Sequence, residues 1–274
     1  MLRERLIAMY DAQLRGDPEM YDAPTVTTIG PVLVGTFPVR RRCFVTYPPF
    51  AMAGSEVDDL IEEVIAHAVA HRCVDHIKWK LREHDPVPEL LQRLREHGFI
   101  VDETETVLAG RVEDVIGCDP GVADGYTTER AVTELALRQA ERLAGQVFGD
   151  SPQRIREQED ELIERCRDAP ESFEMWLARD AEGSVACSGR VDFVDGTDFA
   201  GLWGGACDRA HRGRGLYRAL VGQRARSAQA RGKRYIQVDC SEDSRPILER
   251  AGLIPITTVT AAIWNCDPKT SHVG

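Results

Sequence analysis

The chain has 274 residues, 43% of them hydrophobic, and a formal charge of −11 at pH 7. That length supports one large or two small cores, and the apolar content excludes a disordered polymer. The acidic balance argues against DNA or anionic lipid as the main partner.

No apolar run approaches a membrane span, and the opening Met-Leu-Arg-Glu-Arg has no apolar signal core, so a soluble cytoplasmic protein is expected. The eight cysteines (Cys43, Cys73, Cys118, Cys166, Cys187, Cys207, Cys240, Cys266) form no CxxC pair. At this size they read as reduced, mostly buried thiols, and a cysteine zinc site is not expected.

In chain order, the first part reads as strand-rich. The stretches from Thr25 to Val34 and from Arg42 to Tyr47 are expected strands, punctuated by Gly and Pro. Ser55 is placed to cap a helix running to Cys73, with Leu60, Ile61, Val64, Ile65 and Ala68 at helical spacing. His76 to Leu81 alternates as a half-buried strand. Pro88 to Gly98 reads as a short helix, with Pro near its start and Gly at its end. A strand follows at Thr106 to Ala109. Turn chemistry then accumulates from Gly117 to Asp124, and the boundary between two domains, 1–116 and 117–274, is expected there.

Beyond it, a strand is expected over Gly125 to Thr133 and helices over Glu134 to Phe148 and Pro152 to Arg167. Strands over Phe173 to Ala178 and Val185 to Phe193 lead to another at Ala200. After a basic helix come a strand at Tyr235 to Val238, a short helix ending in Gly252-Leu253, and a strand from Ile256 to Trp264. The two halves share this order, down to the helix ends at Gly98-Phe99 and Gly252-Leu253, which suggests an internal duplication.

The chemistry concentrates between Ala200 and Asp239. An apolar strand meets a glycine-broken turn, and the turn opens a helix, which stacks unpaired N–H groups at the positive end of that helix. Arg209, Arg212, Arg214, Arg218, Arg224, Arg226, Arg231, Lys233 and Arg234 lie between Asp208 and Asp239 with no acidic residue among them. A cationic island on an acidic chain implies one specific polyanionic ligand. Arg224, Arg226 and Arg231 read as a solvated face, whereas Arg212 and Arg214 are better placed for phosphate. A Walker loop is excluded because no Gly-Lys-Ser/Thr is present, and a dinucleotide fingerprint from Gly213 would need a small residue where Arg218 stands. His67, His71, Cys73 and His76 invite a metal, but the intervening Glu of a zinc-protease helix is missing, so none is expected.

The stretch Arg212-Gly-Arg-Gly215-Leu-Tyr217 resembles the phosphate-binding pattern Gln/Arg-x-x-Gly-x-Gly/Ala of the GNAT superfamily of N-acetyltransferases, departing from it at Tyr217. The helix end at Gly252-Leu253 resembles the family's usual Gly-Phe. The resemblance covers residues 120 to 265, and the N-terminal half is similar to a degenerate second copy without the basic loop. It implies an α/β (α+β) fold of two GNAT-like halves, each a mixed, mostly antiparallel sheet flanked by helices.

It also implies an N-acetyltransferase that takes acetyl-CoA as co-substrate and a small-molecule or peptide amine as acceptor, acting as a monomer or homodimer. The expected cofactor residues are Gly205, Ala206 and Cys207 for the pantetheine arm, and Arg212, Gly213, Arg214, Gly215, Leu216 and Tyr217 for the pyrophosphate. Direct attack of the amine on the thioester needs a base, an oxyanion donor and commonly an acid. Family members often carry a Tyr acid at the position of Leu248, and leucine cannot donate a proton. Tyr217, Cys240, Ser241 and Ser244 are the nearby substitutes, and Asp208, Asp239 and Glu242 are the candidate bases. A non-catalytic acyl-CoA-binding or regulatory module is the alternative.

Overall fold

The computed structural model of the protein describes residues 2–266, which divide into two compact units: the chain up to Val107 together with the segment from Ile256, and Leu108–Pro255. In chain order the first unit contains α1 (Leu2–Leu14), β1 (Thr25–Ile29), β2 (Val32–Phe37), β3 (Arg42–Thr46), α2 (Ser55–Ala70), β4 (His76–Arg82) and α3 (Leu90–Glu96). β5 (Ile100–Arg111) starts in it and ends in the second unit. There follow α4 (Val112–Gly117), β6 (Thr127–Arg130), α5 (Glu134–Phe148), α6 (Pro152–Asp168), β7 (Phe173–Arg179), β8 (Val185–Phe193), β9 (Phe199–Cys207), α7 (Leu216–Ala230), β10 (Tyr235–Cys240) and α8 (Arg245–Glu249). The last strand, β11 (Ile254–Asn265), returns to the first unit from Ile256 on.

The first unit orders its strands β1-β2-β3-β4-β11-β5; β1–β2, β2–β3 and β4–β11 pair antiparallel and β3–β4 parallel. Val57, Leu60, Ile61 and Val64 of α2 pack with Val34, Val45, Ile77 and Trp79 of the sheet. In the second unit β6 to β9 form an antiparallel meander, and α7 then crosses to β10, which lies parallel to β9. Alternation along β8 assigns the two faces: Ser188 Oγ donates to Ala140 O of α5, whereas Cys187 packs with Leu216 and Leu220 of α7. The expected fold class, mixed and mostly antiparallel sheets flanked by helices, is the one observed.

Four expectations are corrected. The N-terminal segment begins with α1, whose apolar residues Leu6, Tyr10 and Leu14 recur at four-residue spacing. Ser55 does not cap α2; Gly54 is the N-cap. The turn-rich segment 117–124 is no boundary, because it lies inside the second unit. There Asp119 pairs with Arg226 of α7 and fills the space that a side chain at Gly222 would need. Moreover the final strand of the second half pairs with β4 over Val259–Asn265, so it completes the sheet of the first unit instead of its own.

Candidate functional site

The ladder between β9 and β10 is short. It pairs Phe199 with Tyr235, Ala200 with Ile236 and Gly201 with Gln237, and then stops. Both strands continue, to Cys207 and Cys240, so from Leu202 onward β9 presents backbone N–H and C=O groups without a partner on that edge. Its other edge stays paired to β8, with a register shift between Ser188–Ala206 and Arg190–Trp203 that gives β9 one extra residue. Gly204, at φ 57°, supplies the left-handed conformation this bulge requires.

The loop after β9 is built residue by residue. Asp208 Oδ1 accepts from Ala210 N at 2.7 Å and caps a single 3-10 turn, Arg209–His211. That turn is braced by a hydrogen bond between Tyr126 Oη and His211 Nδ1, 2.8 Å. Arg212 Nε donates back to Cys207 O at 3.1 Å. Gly213 and Gly215 then turn the chain at φ 78° and 79°, and Gly215 is the N-cap of α7 with no side chain capping the helix. A side chain at Gly213 would meet nothing within 4 Å, so the loop faces open space. The first-turn N–H groups of α7 are therefore available to an external anion.

The structure divides the cationic run in two. Arg226 pairs with Asp119, Arg231 with Glu171 and Glu174, and Lys233 Nζ donates to Thr197 O. Arg224 is buried, contrary to the expected solvated face, with 1% of its surface exposed. By contrast Arg209, Arg212, Arg214 and Arg218, which flank the glycine loop, pair with no carboxylate among the described residues. Uncompensated charge thus collects where the helix dipole is positive.

Of the expected site residues, the structure joins Gly205, Cys207, Arg212 and Tyr217. A Cβ on Gly205 would stand 2.7 Å from Tyr217 Oη, so the phenol occupies the space the glycine leaves. The family pattern has a small residue at the helix position; here the small residue is on the strand. Burial pushes the Tyr217 phenol up, with Arg224 opposing it. Gly205→Ala is expected to cost about 1–3 kcal/mol through overpacking. In a Tyr217→Ala background the same change should cost little in denaturant unfolding, and an undiminished cost there would contradict the contact.

Ala206 is buried opposite Ser188, and Leu216 is a core residue, so at the loop it offers its backbone only. Asp239 accepts from Gln237 Nε2 at 2.6 Å, exposed Glu242 pairs with Arg245 at 3.4 Å, and Ser244 Oγ lies 3.3 Å from Ser241 Oγ. These three stand at the end of β10 with local partners of their own. Leu248 is wholly buried in the core beside Ala251 and Leu253, and Cys240 is 3% exposed. Sequence reading missed Arg224, Cys187, Tyr126 and His211. For Arg224 a signal existed: it continues the four-residue step Leu216, Leu220 along the inner face of α7.

The first unit has a matching parallel pair that also stops early, at Val45–Trp79, before α2. Its contents differ. Gly54 N, at the start of α2, donates to Glu89 Oε1 at 2.8 Å, so a carboxylate of the chain itself fills the anion position. Beyond the ladder, Arg82 and Lys80 pair with Glu19, whose carboxylate also accepts from Thr46 Oγ1. A cavity of about 350 Å³ lies beside these groups, and its polar lining is internally satisfied: Tyr47 Oη donates to Asp85, and Thr104 bonds Thr260. The rings of His67 and His71 lie 4.4 Å apart and tilted by 42° at the C-terminal end of α2, and no group of three or more His, Cys, Asp or Glu side chains is placed to hold a metal among the described residues. No helix among them is long and apolar enough to cross a membrane.

An antiparallel meander that crosses through a helix to a parallel neighbour, with the pair parting beside a glycine turn, defines a fold class with a built-in anion cleft. No family model matches the chain, and no curated protein matches it in sequence. Solved structures do match. A GCN5-related N-acetyltransferase from Kribbella flavida superposes with a TM-score of 0.71 at 17% identity, over 96% of this chain and 95% of that one. One from Sphaerobacter thermophilus gives 0.66 at 16% identity, over 87% and 78%. A tandem GNAT protein from the clavulanic acid biosynthesis pathway gives 0.62 at 15% identity, over 86% and 79%. The chain has the GNAT fold.

Proposed function

We propose that the second unit binds acyl-CoA and transfers its acyl group, acetyl in the first instance, to a primary amine of a small molecule or peptide. The observation that carries this reading is the Gly213–Gly215 loop. It is an uncapped helix start flanked by four arginines that pair with no carboxylate among the described residues, placed beside a strand edge whose ladder has ended. In this reading the N–H groups from Arg212 to Tyr217 receive the pyrophosphate, with Arg212 and Arg214 adding charge. The free edge of β9 at Gly205, Ala206 and Cys207 pairs with the amide-bearing pantetheine arm. The thioester supplies an activated acyl group and a leaving thiolate.

Proton transfer falls to residues at the same cleft. Tyr217 is the donor nearest the β9 edge, through its phenol against Gly205. Asp239, half-buried at the end of β10, is a better base than Glu242, which is exposed in an ion pair. Asp208 is committed to its turn, and Ser244 is a second donor. The first unit is a copy without a CoA loop, since Glu89 occupies the helix start that an anion would need.

A second reading, a non-catalytic acyl-CoA-binding module, is favoured by one observation: Leu248 is a core side chain with no proton to give. Two measurements decide. Acetyl-CoA, longer acyl-CoAs, NAD and ATP are compared by thermal shift, and only the acyl-CoAs should stabilise the protein. CoA release is then followed across an amine panel. Stabilisation without turnover above background would establish the module, and no acyl-CoA stabilisation would reject both readings.

A further inference from the structure

We propose that Cys187 and Cys207 form a reactive dithiol that takes low-molecular-weight disulfides as substrate and closes to a cross-strand disulfide between β8 and β9. The two residues are direct partners in the antiparallel ladder. Asp208 N donates to Ala186 O at 2.9 Å in the neighbouring pair, so Cys187–Cys207 is a non-hydrogen-bonded pair, the kind in which side chains approach most closely. Its Cα separation, typically about 4.5 Å, lies inside the range a disulfide spans.

The surroundings separate the two sulfurs by role. Cys187 is fully buried; the facing Cys207 sulfur and burial raise its thiol, while the same pairing lowers Cys207. Cys207 is half-buried, and its carbonyl accepts from Arg212 Nε, whose guanidinium pairs with no carboxylate among the described residues. On the inner side stands the buried Arg224. Its Nε and Nη1 donate to the carbonyls of Leu220 and Arg190, its Nη2 has no hydrogen-bond partner, and no carboxylate neutralises it among the described residues. A buried cation without a counterion favours an anion in this cluster.

The chemistry balances. The Cys207 thiolate attacks one sulfur of the small disulfide, forms a mixed disulfide and expels one thiolate. Cys187 then loses its proton and attacks the Cys207 sulfur, expelling the second. Two protein thiols are oxidised, one disulfide is reduced to two thiols, and the two protons pass to them. None of this rests on the acyl-CoA reading.

Reduced protein is treated with oxidised glutathione and digested with trypsin under non-reducing conditions, with mass spectrometry as the readout. Trypsin places the two cysteines in adjacent peptides, 180–190 and 191–209, each with a single cysteine. The expected product is these two peptides linked. Cys207→Ser should slow the first thiol loss by at least about tenfold, and Cys187→Ala should arrest at one glutathione on Cys207. Far-UV circular dichroism confirms that each variant is folded; if Cys187→Ala is not, the wild-type mixed disulfide, trapped by acid quenching at early times, must sit on Cys207. Loss first at Cys43, Cys73 or Cys266, or glutathione lodging on Cys187, would overturn the assignment.

Discussion

Gly215→Val is expected to abolish stabilisation by acetyl-CoA while the protein remains folded. Gly215 sits at φ 79°, ψ −1°, as N-cap of α7. A β-branched residue is strained there by about 1–3 kcal/mol, and the chain relieves that strain by leaving the left-handed region. Space is not the obstacle, because an added Cβ would meet only Pro120 Cγ, at 3.8 Å. The loss therefore reports loop conformation: the first N–H groups of α7 turn away from a common focus, and on the proposed reading the pyrophosphate loses its seat. Binding should weaken by roughly a hundredfold, at about 1.4 kcal/mol per decade. The unliganded unfolding temperature should fall only a few degrees. Isothermal titration of wild type and variant, with calorimetric scans of both, makes the comparison; a variant that keeps wild-type affinity would remove the loop from the binding site.

The second large effect lies in the first unit. Arg82→Ala is expected to destabilise the protein by about 3–5 kcal/mol, because it takes the main partner from a buried carboxylate and leaves it only Lys80 and Thr46. Arg82 Nη2 pairs with Glu19, Nη1 donates to Thr46 Oγ1 at 3.1 Å and Nε to Tyr10 Oη at 3.3 Å, and its side chain has no exposure. Removing both charges with Arg82→Met/Glu19→Leu should restore part of the loss, since no buried carboxylate is left behind, although Lys80 loses its Glu19 partner. The same network sets an acid limit. Burial would raise Glu19, but Arg82, Lys80 and Thr46 outweigh it and bring its pKa to about 2. The folded value lies below the unfolded one, so this stabilisation is complete above about pH 4.5 and is lost as pH falls towards 2. Denaturant midpoints at pH 7, 4 and 3 should drop in wild type and change less in the double variant.

Much of this was legible in the sequence. Glu134 to Phe148 reads as a helix from its periodicity, and α5 has those bounds. The Arg212–Tyr217 loop was located by two glycines and a strand-to-helix change, features that depend only on local backbone preference. What failed was non-local. The step Leu216, Leu220, Arg224 puts the arginine on the inner face of α7, but only the packing of α7 on β8 makes it a buried cation against Gly189. Cys187 and Cys207 lie twenty residues apart, and nothing local announces the strand register that pairs them.

The amino-acid sequence by itself determined the order of helices and strands through most of the chain, the glycine loop and the charge gathered around it, because these follow from short-range sterics, hydrophobic period and composition. Tertiary structure alone decided which charges remain available to a ligand and where the units divide. Counterions such as Asp119, Glu171 and Glu174 come from distant segments. The final strand chooses its sheet by the edge it can pair with, and β11 finds that edge at β4. Both are long-range pairings whose energy depends on the assembled fold, and no local pattern encodes them.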